Sequence, residues 1–307
     1  MDISAILEAG IREHLPEKYK NIRIFSFGLT TSTNELALEY AKGEWDGSPT
    51  IFVADGQTKG RGRLGRRFVS PSGNGVYLSI LTPTMDITPV GVTTYAAVSV
   101  AGSTRSIYGV TPGIKWVNDL YLGGKKLAGI LTQGVVRDGR VVAAVMGVGI
   151  NLFGEIEDVE IKEIATTIEA ELRRINSGDG KQLFTTPETD KPGLVEPFAI
   201  PEKTHEQLTK GTWVENRGVK MATREEFIAK IVENYLDNLH SVGTHELAEE
   251  YRRLSFLIGK DVNVITPDTT YPAHIIGIND ACELILRMPD GSEKILATGE
   301  VSVRELR

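Results

Sequence analysis

The sequence contains a single cysteine, Cys282, so one copy of the chain cannot form an internal disulfide. Nothing in it therefore points to an oxidising compartment. The longest apolar run, residues 141–150, includes two glycines and is too short to span a bilayer. The polar start of the chain is unlike a signal peptide. These absences predict a cytoplasmic protein without a membrane partner.

Several chemical signatures are also missing. The five histidines are scattered, and none stands with cysteines or acids at the spacing of a metal site. There is no G-x-S-x-G motif of a serine hydrolase and no G-x-x-x-x-G-K-[ST] phosphate loop. Zinc sites, hydrolytic triads and Walker-type nucleotide binding are therefore poor explanations of this chain.

Composition sets broad limits on the fold. The 307 residues are 41% hydrophobic and 24% charged, which is ordinary for a globular protein of about two domains. The formal net charge is −7, so the chain as a whole is not suited to general nucleic-acid binding.

One stretch departs from that acidic background. Residues 55–75, DGQTKGRGRLGRRFVSPSGNG, are rich in glycine and carry five basic residues against one acid. Glycine lets backbone N–H groups approach a ligand closely, and arginine presents a planar fork of donors that matches phosphate. The stretch therefore predicts a flexible loop that closes around an anion.

Other interpretations of this loop exist. Residues 60–65 match G-x-G-x-x-G, but a dinucleotide site requires a helix after the third glycine, and SPSGNG follows within ten residues. A glycine- and arginine-rich loop can also be a solvated surface or bind nucleic acid without sequence preference. The loop alone does not choose among these functions.

The first part of the chain alternates helices and strands. Helical periodicity predicts a helix before Pro16, alternation predicts a strand at 22–27, and apolar segments predict strands at 50–54 and 75–81. Residues 91–108, which are small and apolar, predict a buried helix. The hydroxyl-rich residues 30–34 precede a helical segment. They predict either a helix cap or a binding site for a small polar ligand at a helix start.

Residues 114–122, IKWVNDLYL, are predicted as a hydrophobic strand that lysine, asparagine and aspartate interrupt. Burial of such groups without partners costs several kcal/mol, so they are expected to be paired, bound to a metal or facing a ligand. The alternative is an ordinary strand end with one solvated face. Gly123-Gly124 predicts a hairpin that returns Lys126 towards Asn118 and Asp119. A second hairpin is predicted at Asp138-Gly139.

The second half predicts a change of architecture. A helix is expected at about 160–175, followed by a polar, proline-spaced insertion at 176–222 in which Trp213 either anchors the segment or marks a partner surface. Helices are predicted at 223–240 and 244–254. Short strands after residue 258 predict a small β-barrel or sandwich.

Taken together and in order, an STN start, GRGRLGRRFVSPSGNGVYLSI, KWVNDLYLGGKKLAGIL, GVGIN and a closing GEVSVR closely resemble biotin–protein ligases (biotin–[acetyl-CoA-carboxylase] ligases). The resemblance covers most of residues 22–152 and 250–307. It implies an α+β fold, in which residues 1–254 form a mixed β-sheet catalytic domain flanked by helices and residues 255–307 form a small SH3-like barrel.

The resemblance also implies the reaction and its substrates. Members join biotin to ATP as biotinyl-5′-AMP, with Mg²⁺ accompanying ATP, and transfer biotin to a lysine of a biotin carboxyl carrier domain; no tightly bound prosthetic group is expected. The site residues that it implies fall into three sets. Those for catalysis are Lys126, Arg61 and Asp119; those for biotin are Ser32, Thr33, Asn34, Gln57, Gly60, Arg61, Lys126 and Gly129; those for ATP are Arg61, Arg63, Lys115, Asn118, Asp119, Asn151 and Arg304, with Asn118 and Asp119 as candidate Mg²⁺ ligands.

Within the resemblance, Arg61 matches the loop arginine that folds over the adenylate, and Arg63 matches one that reaches the ATP phosphates. Val117 stands where many members carry proline, and the 176–222 insertion has no counterpart that can be placed. About 20 residues precede the first strand, too few for a winged helix-turn-helix, so no DNA binding is expected. Homodimer formation is left open.

Three rival functions remain at the level of sequence. Lipoate ligases and octanoyl transferases share the fold but lack the GRGR loop. A biotin-sensing protein without catalysis would share the binding residues. A nucleic-acid-binding module would use the basic loop as its footprint.

Overall fold

The fold is seen in a computed structural model that describes residues 3–43, 45–83, 89–156, 158–177, 213–216, 219–265, 269–297 and 302–305. A seven-stranded mixed sheet has the strand order β1-β2-β3-β7-β6-β5-β4, in which β1 and β2 are parallel and the other neighbours are antiparallel. Its strands are β1 Arg23–Thr30, β2 Thr50–Gln57, β3 Gly75–Pro83, β4 Gly113–Lys115, β5 Asp119–Leu122, β6 Lys125–Arg137 and β7 Arg140–Asn151. The predicted mixed sheet is confirmed.

Helices cover both faces of this sheet. One face packs against α2, and a small apolar cluster that includes Ala37, Phe52 and Val145 lies between them. The larger core on the other face lies beneath α1, α3 and the C-terminal helices. Helix α3 is apolar and small around most of its circumference, which is typical of a helix buried on all sides. The helices are α1 Ile3–His14, α2 Thr33–Lys42, α3 Pro89–Tyr108, α4 Ile168–Asn176, α5 Arg224–Asp237 and α6 His245–Leu254.

An antiparallel sheet follows α6, with the order β13-β12-β11-β10-β14. Its strands are β10 Asp261–Ile265, β11 Thr270–Ile278, β12 Leu284–Arg287, β13 Glu293–Leu296 and β14 Ser302–Glu305. Its buried face joins the larger core, so one continuous apolar cluster extends from α1 to β13. The segment between α6 and β10 also pairs with the central sheet, since Phe256 N–H donates to the Ile114 carbonyl.

Three local predictions were wrong. Residues 114–122 form two antiparallel strands, β4 and β5, with a turn at 116–118 between them, rather than one strand. The helix expected at 160–175 begins only at Ile168, after an irregular segment. The predicted insertion includes an antiparallel pair, β8 Trp213–Asn216 and β9 Val219–Ala222, in which Met221 and Ala222 are buried; residues 178–212 and the side chain of Trp213 lie outside the described residues.

Among the described helices, none has the length and apolar character that a membrane crossing requires.

Candidate functional site

Lys126 lies near the start of β6, just after the Gly123-Gly124 turn, and its backbone is bound on the side away from β5. Its N–H donates to the Ile164 carbonyl at 2.8 Å, and its carbonyl accepts from Thr166 N–H at 2.9 Å. The register of the hairpin places Asp119 opposite Gly129. The predicted return of Lys126 towards Asp119 is therefore present.

Four side chains form a connected polar group at this hairpin. Lys126 Nζ lies 2.7 Å from Asp119 Oδ1. Asn118 Nδ2 donates to the same carboxylate oxygen at 3.1 Å and to the Ile130 carbonyl at 2.9 Å. Arg63 donates to Asn118 Oδ1 at 3.1 Å. The glycine-rich loop thus reaches the hairpin through Arg63, and two cations and one carboxylate meet there.

Gly129 keeps space for this group. A Cβ added at Gly129 would lie 3.4 Å from Lys126 Nζ and 3.7 Å from Asp119 Oδ1. Any side chain longer than alanine would extend into the space that the ion pair occupies. The glycine predicted along the ligand pocket therefore borders Lys126 directly.

Arg63 is half-buried, which affects its charge. Burial lowers the pKa of its guanidinium, and the nearby negative charge of Asp119 opposes that shift. Arginine is so strongly basic that the group stays protonated at neutral pH. Arg63 therefore brings a permanent, partly desolvated positive charge to Asn118 and Asp119.

The base of the loop is tied to the end of β2. Gln57 N–H donates to the Ser70 carbonyl, and Gln57 Nε2 donates to Ser70 Oγ at 3.1 Å. Phe68 N–H donates to the Gly60 carbonyl, and a Cβ at Gly60 would lie only 2.4 Å from the Phe68 carbonyl oxygen. The ring of Phe68 packs on Gly149 of β7. Two glycines therefore let the loop fold closely onto itself and onto the sheet.

Arg61 points to a different neighbour from Arg63. Its side chain is 59% exposed and lies 2.6 Å from Glu35 of α2. An exposed pair of this kind contributes about 0–1 kcal/mol, so a bound anion can replace it at small cost. Of the two loop arginines, Arg63 rather than Arg61 contacts the Lys126 hairpin.

The start of α2 is also connected to Gln57. Gln57 Oε1 accepts from Thr33 N–H at 2.9 Å, and Ser79 Oγ lies 2.8 Å from Thr33 Oγ1. Ser32 is the N-cap residue, but its side chain makes no capping hydrogen bond. The helix therefore begins within the predicted cluster, without a side-chain cap from Ser32, and the Thr33 hydroxyl contacts Gln57 and Ser79.

Asn34 is held by the protein itself. Its side chain accepts from Ser79 Oγ at 2.6 Å and donates to the Leu131 carbonyl and to Gln133. A Cβ at Gly147 would lie 1.9 Å from Asn34 Oδ1, which shows how closely the sheet surrounds the amide. These contacts assign Asn34 a supporting position beneath Thr33.

The remaining residues predicted to bind the nucleotide are Lys115, Asn151 and Arg304. Lys115 lies over the ring of Tyr121, with 5.4 Å between Nζ and the ring centroid. Asn151, at the end of β7, donates to the Thr166 carbonyl at 3.1 Å. Arg304 pairs through its backbone with Asn263 in the C-terminal sheet, and its side chain lies outside the described residues.

The turn at 116–118 has supports that the sequence analysis missed. Trp116 Nε1 donates to the Cys282 carbonyl at 2.9 Å, and Tyr251 donates to the Val117 carbonyl at 3.0 Å. Burial raises the pKa of Tyr251 well above its usual value, so its hydroxyl keeps the proton that it donates. No sequence motif marks these partners, because each lies more than 130 residues away along the chain.

The described residues contain no group of three or more His, Cys, Asp or Glu side chains placed to hold a metal ion. Asp119 is the one carboxylate of the polar group, beside the amide of Asn118.

Comparison with known proteins places these elements in a family. Residues 26–151 match the model of the biotin/lipoate A/B protein ligase family, and residues 257–304 match that of the biotin protein ligase C terminal domain. The two matches together cover more than half of the chain. The chain belongs to the biotin/lipoate A/B protein ligase family. The family resemblance inferred from the motifs is confirmed.

Individual members of this ligase family show how far the similarity extends. The chain is 37% identical over 168 residues to the bifunctional ligase/repressor BirA of Bacillus subtilis, covering 52% of this chain and 50% of that protein. It is 36% identical over 131 residues to the biotin–[acetyl-CoA-carboxylase] ligase of Paracoccus denitrificans, covering 41% of this chain and 52% of that protein. The matched region thus spans about half the length of these curated relatives.

The solved structures extend the likeness to both sheets. A biotin protein ligase from Aquifex aeolicus, in complex with biotin and ATP, superposes with a TM-score of 0.66 at 22% identity and covers 92% of this chain and 99% of that one. At that identity the comparison supports the fold alone. It nevertheless includes the C-terminal sheet in the same overall architecture.

Proposed function

We propose that this ligase-family protein joins biotin to ATP as biotinyl-5′-AMP and then transfers biotin to a lysine of a carrier domain, such as that of acetyl-CoA carboxylase. The observation that carries the proposal is the group of Lys126, Asp119, Asn118 and Arg63, which sits beneath a basic loop in a chain with both ligase domain matches. The Paracoccus relative is named for this reaction.

Biotin is favoured over lipoate by the second domain. The model that matches the catalytic region describes both biotin and lipoate ligases, whereas the model that matches residues 257–304 describes biotin protein ligases. The Aquifex neighbour was also solved with biotin and ATP. We infer a division into a catalytic domain and a C-terminal domain near residue 255, where the chain leaves α6.

The first step requires two anions to meet. A carboxylate oxygen of biotin attacks the α-phosphorus of ATP, a new O–P bond forms, and the bond to pyrophosphate breaks, with pyrophosphate leaving. Negative charge accumulates on the phosphoryl oxygens as this happens. Fixed positive groups at that position lower the barrier, because they stabilise the transition state more than the separate reactants.

Lys126 is the side chain best suited to that role. Its ammonium is held by Asp119 in the free protein and is only one-third exposed. A carboxylate oxygen of biotin or a phosphate oxygen of ATP can share this contact with Asp119 or replace Asp119 in it. Both reactants can then bind the same positive charge. Asp119 keeps the lysine aligned through their 2.7 Å contact.

We assign the two loop arginines to different steps. Arg63, which already contacts Asn118, would bind phosphate oxygens during adenylate formation. Arg61, whose exposed partner is Glu35, would turn onto the adenylate when the loop closes. A closed loop excludes water, which would otherwise hydrolyse the mixed anhydride.

We assign the head of biotin to the region where Gln57 meets the start of α2. Ser32, Thr33 and Gln57 supply hydroxyl and amide groups there, with Gly60 and Gly129 keeping the backbone close. Asn34 would support these groups from below through Ser79. A site that hydrogen-bonds a polar ligand discriminates well, because a wrong ligand leaves buried groups without partners.

ATP would lie along the 115–119 turn. Lys115, Asn118, Asp119 and Arg63 surround that turn, and Asn151 and Arg304 belong to neighbouring elements. The Asp119 carboxylate and the Asn118 amide oxygen are ligands of the kind that Mg²⁺ prefers, and to hold it they would have to exchange their present contacts with Lys126 and Arg63. When bound with ATP, Mg²⁺ would neutralise part of the phosphate charge.

The function is tested by incubation of the protein with biotin, ATP, Mg²⁺ and a biotin carboxyl carrier domain, followed by detection with streptavidin. We expect a biotinylated carrier and stoichiometric AMP. Biotin binding without AMP formation would indicate a sensor instead, and lipoyl transfer in the parallel reaction would indicate the other branch of the family. Tight, salt-sensitive RNA or DNA binding with no response to biotin would favour a nucleic-acid module.

The Lys126→Ala variant should stop adenylate formation while the fold is kept. Loss of one preorganised donor costs about 3–4 kcal/mol, roughly a 10²–10³-fold loss of rate. Pyrophosphate release measures the rate, and circular dichroism checks the fold. Lys125→Ala is a matched control, because the side chain of the neighbouring Lys125 donates to the Lys162 carbonyl rather than to Asp119. Near-normal turnover of Lys126→Ala would remove this lysine from the mechanism.

A further inference from the structure

Helix α4 carries two glutamates in its first turn that are almost fully buried, Glu169 and Glu171. A buried carboxylate is costly unless it is paired and hydrogen-bonded. The proposed chemistry uses neither of them. Their contacts differ, and Glu171 reaches the segment that holds Lys126.

The segment in question is residues 164–166, which runs parallel to the start of β6. Ile164 and Thr166 bind both backbone polar groups of Lys126, at 2.8 and 2.9 Å. The position of the lysine Cα therefore depends on this segment as well as on β5. We refer to residues 164–166 as the support segment.

Glu171 fixes the support segment from behind. Thr166 Oγ1 donates to Glu171 Oε1 at 2.8 Å, and both groups are buried. Arg174 Nε donates to the other carboxylate oxygen at 3.0 Å. The helix N-terminus adds favourable electrostatics for a carboxylate at this position. Thr166 is thus held by a charged, fully paired acceptor.

The same carboxylate also packs against the turn that precedes Lys126. A Cβ at Gly123 would lie 2.4–2.5 Å from the carboxylate atoms of Glu171, and Gly123 has a positive φ of 64°. Glu171 therefore contacts the chain on two sides of Lys126, at the β5–β6 turn and at the support segment. Few side chains could satisfy both contacts at once.

We propose that Glu171, acting through Thr166, is a positioning residue for Lys126 in the adenylate-forming step; this rests on the proposed function. Glu171 does not touch substrate. It fixes the backbone from which the lysine projects, so that Nζ reaches the reacting oxygens with the correct geometry. Small displacements of a catalytic group lower the rate far more than they lower stability or ground-state binding.

Glu169 provides a matched control within the same helix. It is also buried, and it pairs with Arg173 in the same way that Glu171 pairs with Arg174. Its second contact, however, is the Gly154 N–H at 2.8 Å rather than the support segment. Loss of charge at Glu169 should therefore affect folding to a similar degree without moving Lys126.

The experiment compares Glu171→Gln with Glu169→Gln, and Thr166→Val with Thr166→Ser. Steady-state pyrophosphate release in the presence of the carrier domain gives kcat and the KM values for biotin and for ATP, at a temperature well below each melting transition. We expect Glu171→Gln and Thr166→Val to lower kcat about tenfold or more, with both KM values within about twofold of wild type. Thr166→Ser, which keeps the hydroxyl, should restore kcat, and Glu169→Gln should keep it.

The outcomes separate this inference from the function on which it rests. An inactive wild-type protein contradicts the proposed function. An active wild type in which the Glu171 and Glu169 variants lose activity equally, in step with their melting temperatures, contradicts the positioning role. If Glu171→Gln does not fold, the Thr166 pair decides, since valine matches threonine in shape; unchanged kcat in Thr166→Val overturns the inference.

Discussion

Lys126 and Asp119 illustrate how one residue pair can prepare a site before any substrate binds. Their ion pair is partly exposed, so it adds little to the stability of the fold. It does keep an ammonium group beside Gly129, whose missing side chain leaves room for the ion pair. At the scale of single residues, the site therefore contains charged side chains that pair with each other in the free protein and can pair with a ligand instead.

The two loop arginines should have separable effects. Arg63→Ala should lower the rate of adenylate formation, because it removes the cation that contacts Asn118. Arg61→Ala should leave that step less affected but should release free biotinyl-AMP, since the loop closes over the product less tightly. Chromatography of the quenched reaction measures both the rate and the free adenylate. Free adenylate no higher than in wild type would count against the closing role of Arg61.

Among the elements, the loop between β2 and β3 depends on close backbone approach. Gly60 leaves space for the Phe68 carbonyl, and Gly149 leaves space for the Phe68 ring. The far end of the loop is fixed as well, because Asp55 accepts from Gly73 N–H and pairs with the buried Arg224 of α5. The loop is therefore anchored at both ends and retains its basic middle for a ligand.

Gly60→Ala should disturb this anchoring in the ligand-free protein. Its Cβ would meet a backbone oxygen at 2.4 Å, which the loop can relieve only by shifting. Trypsin should then cleave faster at the arginines of residues 61–67. Gly62→Ala is the matched comparison, because its nearest neighbour would be 3.6 Å away, and its cleavage rate should equal that of wild type. Equal rates for Gly60→Ala and Gly62→Ala would contradict the assigned anchoring.

At the scale of the whole molecule, the C-terminal sheet supports the site indirectly. Cys282, in the β11–β12 connection, receives the Trp116 hydrogen bond, and Tyr251 of α6 donates to Val117. The turn that presents Asn118 is therefore held between the central sheet and the C-terminal half of the chain. A change in that half can reach the site without contact with a ligand.

Tyr251→Phe should lower the free energy of unfolding by about 1–3 kcal/mol, because it leaves the buried Val117 carbonyl without its donor. Urea unfolding measures the change. Tyr108→Phe is the control: Tyr108 is also buried, and its hydroxyl has no hydrogen-bond partner among the described residues. That variant should be neutral or slightly more stable. A Tyr251→Phe variant as stable as Tyr108→Phe would show that the Val117 hydrogen bond contributes nothing.

Much of the fold could be predicted because its signals are local. The small, apolar residues 91–108 indicated α3, and the Gly-Gly and Asp-Gly pairs indicated the β5–β6 and β6–β7 hairpins. The wrong predictions also came from local sequence signals. Residues 116–118 look like strand because tryptophan and valine are apolar, yet they form a turn whose backbone is satisfied by Tyr251 and other distant groups.

The candidate site shows the same division between local and distant information. The sequence alone determined that a basic glycine-rich loop, a hairpin lysine and an Asn-Asp pair exist, since each lies within a short segment with its own signal. Which arginine contacts Asn118, which buried glutamate supports Lys126, and what holds the 116–118 turn were decided only on folding. Apart from the Thr166–Glu171 bond, which joins residues five positions apart, these hydrogen bonds join residues from 38 to 134 positions apart. A hydrogen bond over such a distance leaves no periodic trace along the chain.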